Sequence, residues 1–130
     1  MSIRQREWEA RLRLHAFQLE ELRRQVGDIE LMIADFKRKQ QELEMAIRIE
    51  EEQAGISDPK DVRYPLSALD MRKRHANLGR SIEGLEQQRE VALQRVEEAE
   101  EELEKAREAA QRDGVELAMA PAAPALRPSI

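Results

Sequence analysis

The stretch EEQAGISDPKDVRYPL, residues 51–66, decides how this chain folds, because on either side of it the sequence carries almost no turn chemistry. Gly55 suits the left-handed residue that closes a helix, and Ile56 stands where an apolar side chain folds back onto the last turn. Asp58-Pro59 is suited to cap and open one isolated helical turn. Pro65 forbids a helix running straight through, since it lacks the amide hydrogen and clashes with the preceding turn. Ser67 followed by Asp70 has the spacing of a weak capping box that restarts a helix. The stretch therefore reads as a stop, a turn and a restart.

Moving upstream, alternating steps of four and three from Trp8 reach Leu12, His15, Leu19, Leu22, Val26, Ile29, Ile33, Phe36, Gln40, Leu43, Ile47, Glu50 and Ala54, of which eleven of fourteen are apolar. A mean step of 3.5 sustained over this length is a coiled-coil seam rather than the stripe of a globular helix. Downstream, the same count gives Tyr64, Ala68, Met71, His75, Leu78, Ile82, Leu85, Arg89, Ala92, Val96, Ala99, Leu103, Ala106 and Ala110, twelve of fourteen apolar. The second seam is richer in alanine, so large side chains of the first arm face small ones of the second and the axes approach closely. Ser2 and Gln5 have capping-box spacing at the start of the first arm.

The expected fold is all-α: a long antiparallel two-helix coiled-coil hairpin over 1–112, with helices at 2–54 and 67–112, a bend at 55–66 and a disordered tail at 113–130. The tail has three prolines, little charge and no period, a composition that cannot bury enough apolar surface to order itself. A short partner-binding segment near Val115 to Met119 is an alternative reading of its start. Charge favours the antiparallel arrangement. Six arginines (4, 6, 11, 13, 23 and 24) lie in the first 24 residues, and seven glutamates lie in EEAEEELEKARE, residues 97–108, which folding back brings alongside. Each exposed pair contributes only about 0.2–1 kcal/mol, so the pairs select register more than they stabilise.

Composition limits function. The 130 residues allow one domain, and 38% are charged against 3% aromatic, too few rings to fill a compact globule. There is no cysteine, hence no disulfide or thiol chemistry. No apolar run is long enough to span a membrane, and MSIRQREWEARLRL lacks the apolar centre of a signal peptide, so a cytoplasmic protein is expected. The net charge of −5 argues against nucleic-acid binding. No phosphate loop or nucleophile elbow is present, and the glutamate clusters fall on solvated helix faces with no pocket to raise a carboxyl pKa. The expectation is a non-enzyme with no catalytic residue, cofactor or metal. His15 and His75 sit at distant seam positions and read as satisfied by neighbours, with a pH-sensitive layer as the sharper alternative. Gln40 and Arg89 interrupt the seam, either fixing register or, for Arg89, snorkelling. Gly27, Gly79 and Gly84 lie inside the helices, where each costs about 1 kcal/mol relative to alanine.

Away from the seam, the row Ala10, Phe17, Arg24, Leu31, Arg38, Met45, Glu52 places Phe17, Leu31 and Met45 on the outer face, flanked by Leu14, Met32 and Ile49. Large apolar groups outside the core mark a contact surface unless they are scattered surface residues.

Three stretches carry a family resemblance. RLRLHAFQLEELRRQV (11–26), EEEQAGISDP (50–59) followed by YP (64–65), and NLGRSIEGLEQQREVALQRVEEAEEELEK (77–105) together resemble the flagellar export protein FliJ family over most of residues 4–112. The resemblance implies a cytoplasmic coiled-coil stalk at the base of the flagellum, part of the type III protein export apparatus. Such a stalk would bind the hexameric export ATPase and link it to the export gate, meeting the membrane only through partners. Placed by position, the ATPase contact would use Arg4, Arg6, Trp8, Arg11 and Arg13, and the gate contact Met45, Ile49, Tyr64, Leu66 and Leu69. The alternatives are a structural adaptor or chaperone, or a homo-oligomer, binding through the Phe17–Leu31–Met45 stripe.

Overall fold

The computed structural model describes residues 2–115; the expectation of disorder beyond Val115 lies outside the described residues. Two α-helices, α1 (Ile3–Ala54) and α2 (Leu66–Arg112), form the antiparallel hairpin, with no strand among the described residues. The contacts divide it into two compact units: the residues up to Glu30 with those from Gln88 onward (the termini unit), and Leu31–Gln87 (the bend unit).

The seam is where the periodicity put it. Every seam position of α2 is buried or half-buried, and in α1 only Ala54 is exposed. In the termini unit, Leu12, Leu19, Leu103, Ala110 and Val115 form one buried cluster, against which Trp8, Val96, Ala99 and Ala106 pack. Burying each of the leucines contributes about 1.5–3 kcal/mol. In the bend unit, Ile33, Ile47, Tyr64, Ala68, Ile82 and Leu85 are buried.

The ends of the helices explain their bounds. The Ser2 hydroxyl accepts from the Gln5 amide (3.1 Å), so Ser2 caps α1; the Gln5 side chain turns to Glu9 instead of completing the box. At the far end the Ile56 amide donates to the Glu51 carbonyl and the Gly55 amide to that of Glu52, with Gly55 at φ 71°. That is the expected left-handed stop. The bend continues through two successive turns, Asp61 N–H to Asp58 C=O and Tyr64 N–H to Asp61 C=O, tightened by the Asp58 and Asp61 carboxylates.

Two expectations are corrected. Helix α2 starts at Leu66 rather than Ser67: the Pro65 carbonyl accepts the first helical bond from Leu69, and Asp70 pairs with Arg74. Ser67 thus lies inside the first turn and caps nothing. Second, the tail does not begin at Asp113. The Val115 amide donates to Ala110 and the Gly114 amide to Gln111, with Gly114 at φ 79°, so α2 closes with the same motif as α1. Val115 is buried against Ala110 in the termini cluster.

Candidate partner-binding surfaces

A two-helix seam has two flanks, and in this hairpin they differ. Arg23, Lys37, Glu44 and Glu51 line one flank of α1, immediately after the seam positions Leu22, Phe36, Leu43 and Glu50. In the termini unit Arg23 pairs with Glu100 at 2.9 Å. In the bend unit Lys37 meets Glu86 at 3.9 Å, Glu44 meets His75 Nε2 at 2.9 Å, and Glu51 meets Arg72 at 2.8 Å. The Arg23, Lys37 and Glu51 bridges are spaced two heptads apart on both helices, as one fixed register requires.

The strongest of these is a three-residue clasp beside the bend. The Tyr64 hydroxyl donates to Glu51 at 2.6 Å, and Arg72 donates to both the Tyr64 oxygen and Glu51, each at 2.8 Å. Hydrogen bonds from Tyr64, then from Arg72, hold the Glu51 carboxyl below its ordinary value of 4.5. Burial, together with the bond to Glu51, pushes the Tyr64 phenol above 10.0. Further along the same unit, Gln40 donates to the His75 carbonyl at 3.3 Å, and a Cβ at Gly79 would meet the Gln40 amide at 3.3 Å. Gly79 therefore admits the Gln40 head, and His75 is held through both its ring and its backbone.

The bridged flank keeps a groove of about 310 Å³ lined by Glu44, Ile47, Arg48, Glu51, Arg72 and His75, and the opposite flank is the more open. In the bend unit, Phe36, Leu43, Ala46 and Leu78 floor a groove of about 610 Å³ whose walls carry Lys39, Glu42, Arg74, Asn77 and Ser81. In the termini unit, Leu22 and Ala99 floor one of about 500 Å³ walled by His15, Gln18, Glu21, Arg95, Glu98 and Glu102, with Phe17 at its rim. The alternate seam row of α1 records the asymmetry. Leu12, Leu19, Val26, Ile33 and Ile47 are buried, whereas His15, Leu22, Ile29, Phe36 and Leu43 are only half-buried.

The outer stripe is where the heptad count put it: Phe17 is 61% exposed, Leu31 55% and Met45 63%, and Leu14, Met32 and Ile49 beside them are exposed as well. Of the residues assigned to a gate contact, Met45, Ile49 and Leu66 are exposed and Leu69 is half-buried. Tyr64 is 6% exposed and bound to Glu51, so it holds the bend and offers nothing to a partner. Arg4, Arg6, Arg11 and Arg13 are all exposed. Trp8 is half-buried, its indole N–H donating to Asp113 at 2.8 Å and its ring lying under Arg11 at 5.0 Å. The facing glutamate run neutralises these arginines less than its charge suggests. Among the described residues, Arg23 with Glu100 joins the two stretches, Arg4 reaches Asp113 at 3.6 Å, and Arg24 pairs with Glu21 on its own helix.

Sequence reasoning missed the clasp, the Gln40–Gly79 fit and the difference between the bridged flank and the more open one. A signal for the clasp was present: Glu51 and Arg72 have opposite charge and sit just off the seam on either side of the bend. Among the described residues no group of three His, Cys, Asp or Glu side chains could hold a metal, and no helix is long and apolar enough to cross a membrane. No known protein family, curated protein or solved structure matches the chain.

Proposed function

We propose that this chain is a non-enzymatic coiled-coil stalk of the flagellar type III protein export apparatus, cytoplasmic at the flagellar base, binding the hexameric export ATPase and linking it to the export gate. The flagellar assignment comes from the sequence resemblance. The observation that carries a ring contact is the exposed cluster Arg4, Arg6, Arg11 and Arg13 on the first turns of a well-capped helix. Left largely unneutralised, it suits the acidic surface of a partner. A hairpin that binds only the assembled ring favours the ring by mass action. ATPase activity of the export ATPase, measured at low ring concentration, should therefore rise when the hairpin is added. A variant with Arg4, Arg6, Arg11 and Arg13 changed to glutamate should give no rise while keeping its helical content. Equal activity with and without the wild-type chain refutes the proposal.

A second reading, an adaptor or chaperone that binds a partner helix, is favoured by the exposed stripe Phe17, Leu31 and Met45. It predicts that Leu31→Glu abolishes partner capture while the arginine variant retains it.

A further inference from the structure

We infer that the chain pairs with a second copy of itself, the groove of the termini unit in one molecule seating against the groove of the bend unit in the other. Both grooves are floored by apolar side chains that their own unit leaves half-covered. A facing helix pair would complete the burial of Leu22 in one molecule and of Phe36 and Leu43 in the other, and Phe17 supplies a large exposed ring at the rim.

Charge selects which groove meets which. The termini groove is walled by three carboxylates, Glu21, Glu98 and Glu102, against one guanidinium, Arg95. The bend groove is walled by two cations, Lys39 and Arg74, against one carboxylate, Glu42. Two termini grooves face to face would set carboxylates against carboxylates, whereas unlike grooves bring opposite signs together. The walls have partners within their own helices: Lys39 with Asp35, Arg74 with Asp70, and Glu21 with Arg24. These are exposed pairs of the weakest kind, so they compete poorly with charges that become desolvated at an interface. The proposal is independent of the export reading, since Arg4, Arg6, Arg11 and Arg13 line neither groove.

The test is sedimentation equilibrium of the full chain and two charge-reversed variants, Lys39→Glu/Arg74→Glu and Glu98→Lys/Glu102→Lys, at low and high salt. All four positions are exposed, so helical content should be unchanged. The wild-type chain should self-associate, more weakly at high salt. Each variant alone should associate about tenfold or more weakly, about 1.4 kcal/mol, and an equimolar mixture of the two should recover the loss. Phe17→Ser should weaken association at every salt concentration. A monomeric wild type, reversed variants that associate as the wild type does, or a mixture that fails to recover would each overturn the pairing. None of these outcomes bears on the ATPase assay.

Discussion

The two units of the hairpin are built from the same heptads and share a buried apolar seam, but differ in how many polar contacts cross it. In the termini unit a contiguous cluster of Leu12, Leu19, Leu103, Ala110 and Val115 is the chief cross-helix attachment, with Trp8 and Asp113 closing its end. In the bend unit Ile33, Ile47, Tyr64, Ala68, Ile82 and Leu85 are buried too, and several directional contacts are added across the helices: Gln40 to His75, Glu44 to His75, Lys37 to Glu86, and the Glu51–Tyr64–Arg72 clasp. Apolar burial is roughly proportional to area and indifferent to direction, so a leucine–alanine seam alone tolerates a slipped register. Hydrogen bonds weaken steeply when misaligned. The bend unit, with more of these contacts than the Arg23–Glu100 bridge of the termini unit, is thus the better suited to set the register.

The largest expected effect breaks the packing side of this contrast. Leu19 is 2% exposed at the centre of the cluster. Leu19→Ala should lower stability by about 2–5 kcal/mol, the range for a buried leucine whose cavity collapses only in part. Urea unfolding of wild type and variant at matched concentration measures it. A cost below about 1 kcal/mol would mean that the cluster is not what holds this unit.

The polar side is sharpened by Tyr64→Phe, which removes two hydrogen bonds, the one donated to Glu51 and the one accepted from Arg72, while keeping the ring. The expected loss is about 1–2 kcal/mol. The pH dependence gives a second readout. The folded state holds Glu51 below its ordinary 4.5, chiefly through Tyr64. Its contribution is therefore complete above that value and is lost as pH falls through the lowered folded value. Tyr64 is raised above 10.0, chiefly by burial, so its contribution is present below 10.0 and is lost as pH rises through the folded value. Stability of Tyr64→Phe should therefore vary less than wild type at both extremes. If the two curves stay parallel, the clasp is incidental to the fold.

How much of this was legible in the sequence follows from the range of each interaction. The seam was legible because a period of 3.5 is a property of one strand of sequence, and the outer stripe Phe17–Leu31–Met45 came with it. The flanks were not, because which side of the seam is bridged depends on how the arms align. A charged residue beside the seam, such as Lys37, names no partner until Glu86 is placed across from it. Gly79 looked like a helix defect for the same reason, since its use is the space it gives Gln40. Ser67 misled because the helix begins one residue before it, at Leu66, with Pro65 in the N-cap place, so Ser67 falls inside the first turn. Tyr64 was assigned to a partner by its position near the bend under the family resemblance, and only the clasp shows that its hydroxyl is engaged within the chain.

The smallest effect tests the two helix ends against each other. Gly55-Ile56 and Gly114-Val115 make the same closing motif, yet only the first was expected, because the proline-rich composition after Val115 drew the boundary back to Arg112. Gly55 has φ 71° and Gly114 φ 79°, and a Cβ would meet nothing within 4 Å at either position. Alanine at each site therefore costs backbone strain alone, about 1 kcal/mol. The consequences beyond that differ by unit. Ile56 lies half-buried in the bend, and relaxing Gly55 leaves the clasp on Glu51 in place. Val115 belongs to the termini cluster, and Asp113 holds the indole of Trp8, the single tryptophan of the chain. Gly114→Ala should therefore shift Trp8 fluorescence toward the emission of a more solvated indole, whereas Gly55→Ala should leave it unchanged. Equal stability losses with no change in emission from either variant would place the end of the packed core at Ala110 and remove Val115 from it.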